Sequence, residues 1–134
     1  IPIVGGWMRV MNCVFMDRSS RVKSTQAIGE GVEVLKAGHS LVIFPEGTRS
    51  KGGPVQTFKA GSVRLAIDAE VPIVPIAIDG TADMLEKNKF FMTPADVTIT
   101  ILPPIPVEKI KTMESKELAG YVQALISPYV KTPR

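Results

Sequence analysis

Cysteine and histidine are each present once, as Cys13 and His39. A lone cysteine excludes an internal disulfide and makes a reducing compartment the simpler reading. Aromatic residues make up only 6% of the chain, and no basic stripe interleaves with them. A base-stacking nucleic-acid surface is therefore poorly supported. No G-x-x-x-x-G-K-[ST] run occurs, which removes a P-loop. No apolar run approaches the ~20 residues needed to span a bilayer. Residues 1–8 are too short and too Gly-rich for a signal peptide's apolar region. Internal repeats, low-complexity tracts and long charge runs are also missing, so the chain reads as one continuous unit.

What is present is an ordinary globular balance. The 134 residues are 45% hydrophobic and 22% charged, enough for one domain with one core. The formal charge of +3 and pI ≈ 9.1 suit an anionic ligand or membrane surface, as they suit many enzymes with neutral ligands. Gly and Pro number 11 each, so many turns are expected. Residue 1 is Ile rather than Met, and the expectation is that an upstream stretch has been removed or omitted.

Periodicity predicts alternating strands and helices. Residues 13–16 form a short apolar run that reads as a buried strand. Ile28, Val32 and Leu35 mark one face of a helix over 24–37, with Ser24 as N-cap and Gly38 beyond its end. Residues 40–44 are apolar on both faces and read as a central strand closed by Pro45. The glycine- and proline-rich stretch 45–57 is a loop, and 59–69 a helix burying Val63, Ala66 and Ile67. Residues 71–78 are β-rich, but Pro72 and Pro75 require a bulge or an edge. Residues 97–101 alternate as a strand, and 115–126 form a helix stopped by Pro128. The order argues for an α/β fold, a largely parallel sheet flanked by helices.

The loop after the 40–44 strand carries chemistry. Ligands in open α/β sheets bind beyond the carboxyl ends of strands, and Glu46-Gly47-Thr48-Arg49 lies at such an end. Gly47 permits a tight turn and close backbone approach. Arg49 offers a planar fork that can grip a phosphate through two hydrogen bonds. Thr48 can add a hydroxyl donor, and Glu46 could orient Arg49 or hold a substrate hydroxyl. Lys59 sits just before or within the first turn of a predicted helix, where free N–H groups and the helix dipole favour an anion. The competing readings are a surface turn with an incidental Glu–Arg pair, and a solvated lysine.

The run Phe44-Pro45-Glu46-Gly47-Thr48-Arg49-Ser50 resembles the signature motif of the glycerol-3-phosphate and 1-acylglycerol-3-phosphate acyltransferases. The resemblance runs the length of the chain and keeps the family's order. Ile1-Pro2 with Gly6-Trp7, Val14-Phe15-Met16-Asp17-Arg18, Phe58-Lys59-Ala60-Gly61, Val71-Pro72-Ile73-Val74-Pro75 and Pro103-Pro104-Ile105-Pro106 all resemble its blocks. It departs at Met16, where Ile is usual, and at Glu70, where a Gly commonly ends the helix. The resemblance implies transfer of an acyl chain from acyl-CoA or acyl carrier protein to the hydroxyl of a lysophospholipid, 1-acylglycerol 3-phosphate, with glycerol 3-phosphate as the variant acceptor that the motif does not separate, and with no cofactor and no metal. It implies that Arg18, Arg49 and Lys59 bind the acceptor phosphate, with Glu46, Gly47 and Thr48 in the same site. Arg21 and Lys23 read as a solvated rim, the alternative being that they line the same side.

The family's HxxxxD motif, which supplies the base, has no counterpart here. The only histidine is His39, and Phe44 occupies the position where the Asp would stand. The predicted strand would also put His39 roughly 17 Å from the loop, at ~3.3 Å per residue, on the opposite rim of the sheet. Cys13 reads as a small buried hydrophobe rather than a nucleophile. The expectation is that residues 1–134 are the C-terminal portion of a single acyltransferase domain, N-terminally incomplete, with no catalytic residue in this chain and its His and Asp upstream. The lipid substrates imply a membrane-associated protein at the cytoplasmic face. The apolar, Trp-bearing start could touch the lipid interface or pack onto the core. The alternative from a different class is a non-catalytic module for phosphorylated ligands or nucleic acid.

Overall fold

The computed structural model describes residues 2–11, 13–14, 20–84 and 91–131. They form two compact units, Ile1–Leu41 and Val42–Arg134, each considered by itself.

The first unit opens with α1 (Pro2–Val10), a helix the sequence reading did not anticipate. Pro at the start of a helix loses no bond that would otherwise form, whereas Gly5 and Gly6 each weaken it by roughly 1 kcal/mol. Ile3, Val4, Trp7, Val10 and Met11 are exposed and fall on one stripe, with Arg9 off it. The expected strand at 13–16 is not found at Cys13 and Val14, which lie in irregular backbone; Phe15 and Met16 lie outside the described residues. Met11 N–H donates to Trp7 O and Cys13 N–H to Met8 O at 2.9 Å, so the winding of α1 consumes the amide a strand partner would need.

Helix α2 (Arg21–Lys36) starts earlier than the 24–37 expected. Its N-cap is Ser20, in extended backbone with its hydroxyl accepting Lys23 N–H, while Ser24 N–H already bonds Ser20 O. Two serines could have capped, and the earlier one does. At the other end Gly38 N–H bonds Leu35 O and His39 N–H bonds Val34 O, the paired bonds of a Schellman cap with Gly38 at its C′ position. Val32 is buried as expected, alongside Ala27.

Residues 40–44, where the first unit gives way to the second, are not the buried central strand expected. They carry no strand pairing among the described residues, and Val42 and Phe44 are 82% and 71% exposed. An apolar run becomes a strand only when a neighbour accepts its ladder bonds. The loop from 45 onward leads into α3 (Ala60–Ala69), one residue inside the expected helix. Glu70 ends it in the left-handed region at φ 53, with Val71 N–H to Ala66 O and Glu70 N–H to Ile67 O. This is a Schellman cap built on a residue with a Cβ, the strained cap that the missing glycine implied.

Strand β1 (Ile76–Asp79) then pairs antiparallel with β2 (Thr98–Ile101), in the register Ile76↔Ile101 and Ile78↔Ile99. The only described sheet is thus antiparallel rather than parallel. Upstream of β1, Ile73 bridges Ile105, so two residues on one side face three on the other. That offset is a bulge beside Pro75, whose carbonyl still accepts Leu102 N–H at 2.9 Å. Gly80, at φ +95, turns the chain out of β1 against the carbonyl of Asp96 and into the short α4 (Thr81–Met84). After β2 come α5 (Val107–Ile110) and α6 (Ser115–Ile126), the latter with the bounds expected. Leu118, Val122 and Ile126 of α6 pack with Val63 and Ala66 of α3 around Phe58, and Ala77 closes the core from the sheet. Leu118 and Ile110 are completely shielded.

Candidate functional site

Proline fixes the geometry at the head of the loop. Pro45 presets φ for the second position of a turn, and Gly47 N–H donates back to Phe44 O at 3.1 Å. Glu46 has no positive φ, so the turn is of type I, which favours Pro second and Gly fourth. Gly47 itself lies at φ +70. Beyond it Thr48 and Arg49 are exposed, and Ser50 Oγ accepts Gly52 N–H at 3.2 Å.

The far end of the loop returns to this turn. Lys59 N–H donates to Pro45 O at 3.0 Å, so the residue that begins α3 is tied to the turn's second residue. Lys59 is the N-cap of α3, with extended backbone and no side-chain cap bond. The first amides of any helix lack intrahelical acceptors, so this end presents N–H groups and the positive end of the dipole. The Lys59 side chain lies along Gly47: a Cβ built there would stand 2.9 Å from Lys59 Nζ and 3.0 Å from Cε. A bare Cα at 47 is what lets the ammonium come this close.

Two more contacts hold the loop in shape. Glu46 Oε2 accepts Gln56 N–H at 3.1 Å, bracing the loop across its width. The carboxylate thereby serves the backbone, a role the sequence reading did not assign to it. Phe58 N–H donates to Gln123 Oε1 on α6 at 3.0 Å. Nothing in the linear sequence marks Gln56 or Gln123, because both act through folding-dependent contacts with main-chain amides.

Of the residues singled out from the sequence, Glu46, Gly47 and Lys59 are thus gathered at one turn, with Thr48 and Arg49 following directly. Arg18 lies outside the described residues. His39 is exposed just past α2 in the first unit. Among the described residues no group of three or more His, Cys, Asp or Glu could hold a metal ion. A separate open concavity of about 530 Å³ runs between α6 and residues 102–106, lined mainly by prolines, aliphatic residues, Tyr121 and Tyr129. Its Lys109 ammonium sits 4.7 Å from the Tyr121 ring centroid.

The chain is similar to known proteins along nearly its whole length. Residues 1–79 match the family model described as acyltransferase. The 1-acyl-sn-glycerol-3-phosphate acyltransferase of Borreliella burgdorferi is 32% identical over 132 residues, covering 98% of this chain and 53% of that protein. That of Limnanthes alba is 37% identical over 131 residues, covering 97% and 46%. That of Escherichia coli K12 is 32% identical over 127 residues, covering 94% and 51%. The crystal structure of the 1-acyl-sn-glycerophosphate acyltransferase of Thermotoga maritima superposes with a TM-score of 0.80 at 34% identity, covering 96% of this chain and 50% of that one. The chain spans about half the length of the relatives it matches.

Proposed function

Because this chain belongs to the acyltransferase family, we propose that it holds the phosphate of 1-acylglycerol 3-phosphate while an acyl group passes to that acceptor's free hydroxyl. The observation that carries this reading is the Lys59 ammonium laid against Gly47 at the uncapped start of α3. A cation, a helix N-terminus and the following Arg49 make a cradle suited to a phosphate dianion. The family resemblance assigns Arg18 to the same phosphate; that residue lies outside the described ones.

The acyl donor is acyl-CoA or acyl carrier protein. The acceptor hydroxyl oxygen attacks the thioester carbonyl, the new ester bond forms, and the thiol leaves. A base must take the hydroxyl proton during attack and return a proton to the departing sulfur. His39 is the one imidazole of the chain and has Phe44, not Asp, at the motif position. The base is therefore supplied from outside these residues, and 1–134 form the C-terminal portion of one catalytic domain. Relatives of about twice the length support this division. In the same reading, residues 40–44 join a parallel sheet in the complete domain, which would shelter Val42 and Phe44.

The domain works at the cytoplasmic face of a membrane. No described helix is long and apolar enough to cross one. The exposed apolar stripe of α1, with Trp7 66% exposed, supports contact with the lipid interface.

The test is thermal stabilisation of the chain by lysophosphatidate beside filter binding of single-stranded DNA. Stabilisation that falls by ~10-fold in apparent affinity for Arg49→Ala, and by nearly as much for Arg49→Lys, is expected, because Lys lacks the bidentate fork. Tight, sequence-blind DNA binding without lipid stabilisation would favour a nucleic-acid module. Substantial acyl transfer by the chain alone would contradict an external base.

A further inference from the structure

The loop that carries the cradle is anchored from a distance. Phe58 precedes Lys59 and pins the end of the loop twice: its side chain is buried in the core, and its N–H donates to Gln123 Oε1. These two residues are 65 positions apart in sequence. On α6, Leu118, Val122 and Ile126 face the core. Gln123, about 100° further round the helix than Val122, lies on the flank of that face.

Two successive peptide planes are therefore fixed by different partners. The plane ending in the Phe58 N–H is held by α6, and the plane ending in the Lys59 N–H is held by Pro45 O of the turn. Between them they set where the Lys59 Cα stands and hence where its side chain can lie along Gly47. If the Gln123 acceptor were removed, the partly buried Phe58 amide would have to find another partner, turning the first plane and swinging Lys59 with it.

We infer that Gln123 is a positioning residue for the Lys59 ammonium, acting through the Phe58 backbone and not touching the ligand. This rests on the reading of the loop as an acceptor-phosphate cradle. A purely structural glutamine would support the fold in general and would have no particular link to Lys59. The two roles differ in how Gln123 and Lys59 combine.

The experiment is a double-mutant cycle on the full chain, with glycerol 3-phosphate titrated by calorimetry or amide NMR. Gln123→Leu keeps the side-chain volume and removes the acceptor. It is expected to raise the dissociation constant ~5–10-fold in the otherwise native chain, but less than ~2-fold in a Lys59→Ala background. Amide exchange at Phe58 and Lys59 should accelerate while that of Ala77 in β1 stays unchanged. Equal fold-losses in both backgrounds, native affinity in Gln123→Leu, or uniform acceleration that includes Ala77 would each overturn the inference. Failure of the unsubstituted chain to bind glycerol 3-phosphate would overturn the cradle itself and this inference with it. The exchange contrast between Phe58 and Ala77 would still show whether Gln123 holds the loop, so the two failures are distinguishable.

Discussion

The Lys59 ammonium occupies space that any side chain at Gly47 would claim, 2.9 Å from where a Cβ would stand. Gly47→Ala therefore acts on the cation as well as the backbone. The left-handed φ of +70 should cost a non-glycine residue about 1 kcal/mol. The larger effect is expected on ligand binding: a glycerol 3-phosphate affinity lower by ~10-fold with unfolding free energy lower by only ~1 kcal/mol. Denaturant melts and a calorimetric titration of the same preparation separate the two. Native affinity in Gly47→Ala would mean that the contact with Lys59 is incidental.

Gly80 and Gly120 make opposite predictions. A Cβ at Gly80 would run into the Asp96 carbonyl oxygen at a φ of +95, whereas at Gly120, inside α6, it would meet nothing within 4 Å. Gly80→Ala should destabilise by ~2–4 kcal/mol, since backbone must move as well as strain be absorbed. Gly120→Ala should stabilise by ~0.5–1 kcal/mol through helix propensity. Urea midpoints moving in opposite directions are the expected signature.

Glu70 caps α3 with φ 53 and pairs with Lys111 at 2.9 Å, both side chains being more than half exposed. An exposed pair contributes ~0–1 kcal/mol and is screened by salt. Relief of left-handed strain is of similar size and insensitive to salt. Glu70→Gly should thus be close to neutral at low ionic strength and stabilising by up to ~1 kcal/mol in 0.5 M salt. A stability change independent of salt would show that the ion pair contributes nothing.

Trp7 stands on the exposed stripe of α1. Flotation of the chain with vesicles containing anionic lipid should fall several-fold on Trp7→Ala, with little change in the melting temperature. Loss of stability without loss of flotation would instead place Trp7 in intramolecular packing.

Local periodicity made α3 and α6 legible, because Val63 and Ala66, and Leu118 and Val122, repeat at helical spacing and face the core. The bulge beside Pro75 was equally readable, since proline cannot donate to a ladder. Pairing direction was not. Residues 40–44 and 71–78 look alike in composition, but a strand depends on partners that the sequence does not name, and β1 takes β2 antiparallel. Helix α1 was missed because Gly5 and Gly6 mask its apolar stripe. In the loop, residue types marked Gly47 and Lys59 as candidates. The bonds that place them, Gln56 to Glu46 and Phe58 to Gln123, use main-chain amides and left no trace in the sequence.

In the proposed reading the loop recognises a phosphate on a lysolipid acceptor. Amide NMR of the chain titrated with short-chain 1-acylglycerol 3-phosphate, and in parallel with the same 1-acylglycerol lacking the phosphate, tests it most directly. Saturable shifts at Gly47, Thr48, Arg49 and the first amides of α3 are expected with the phosphorylated lipid alone. Equal shifts with both lipids, or shifts confined to residues outside 44–62, would contradict it.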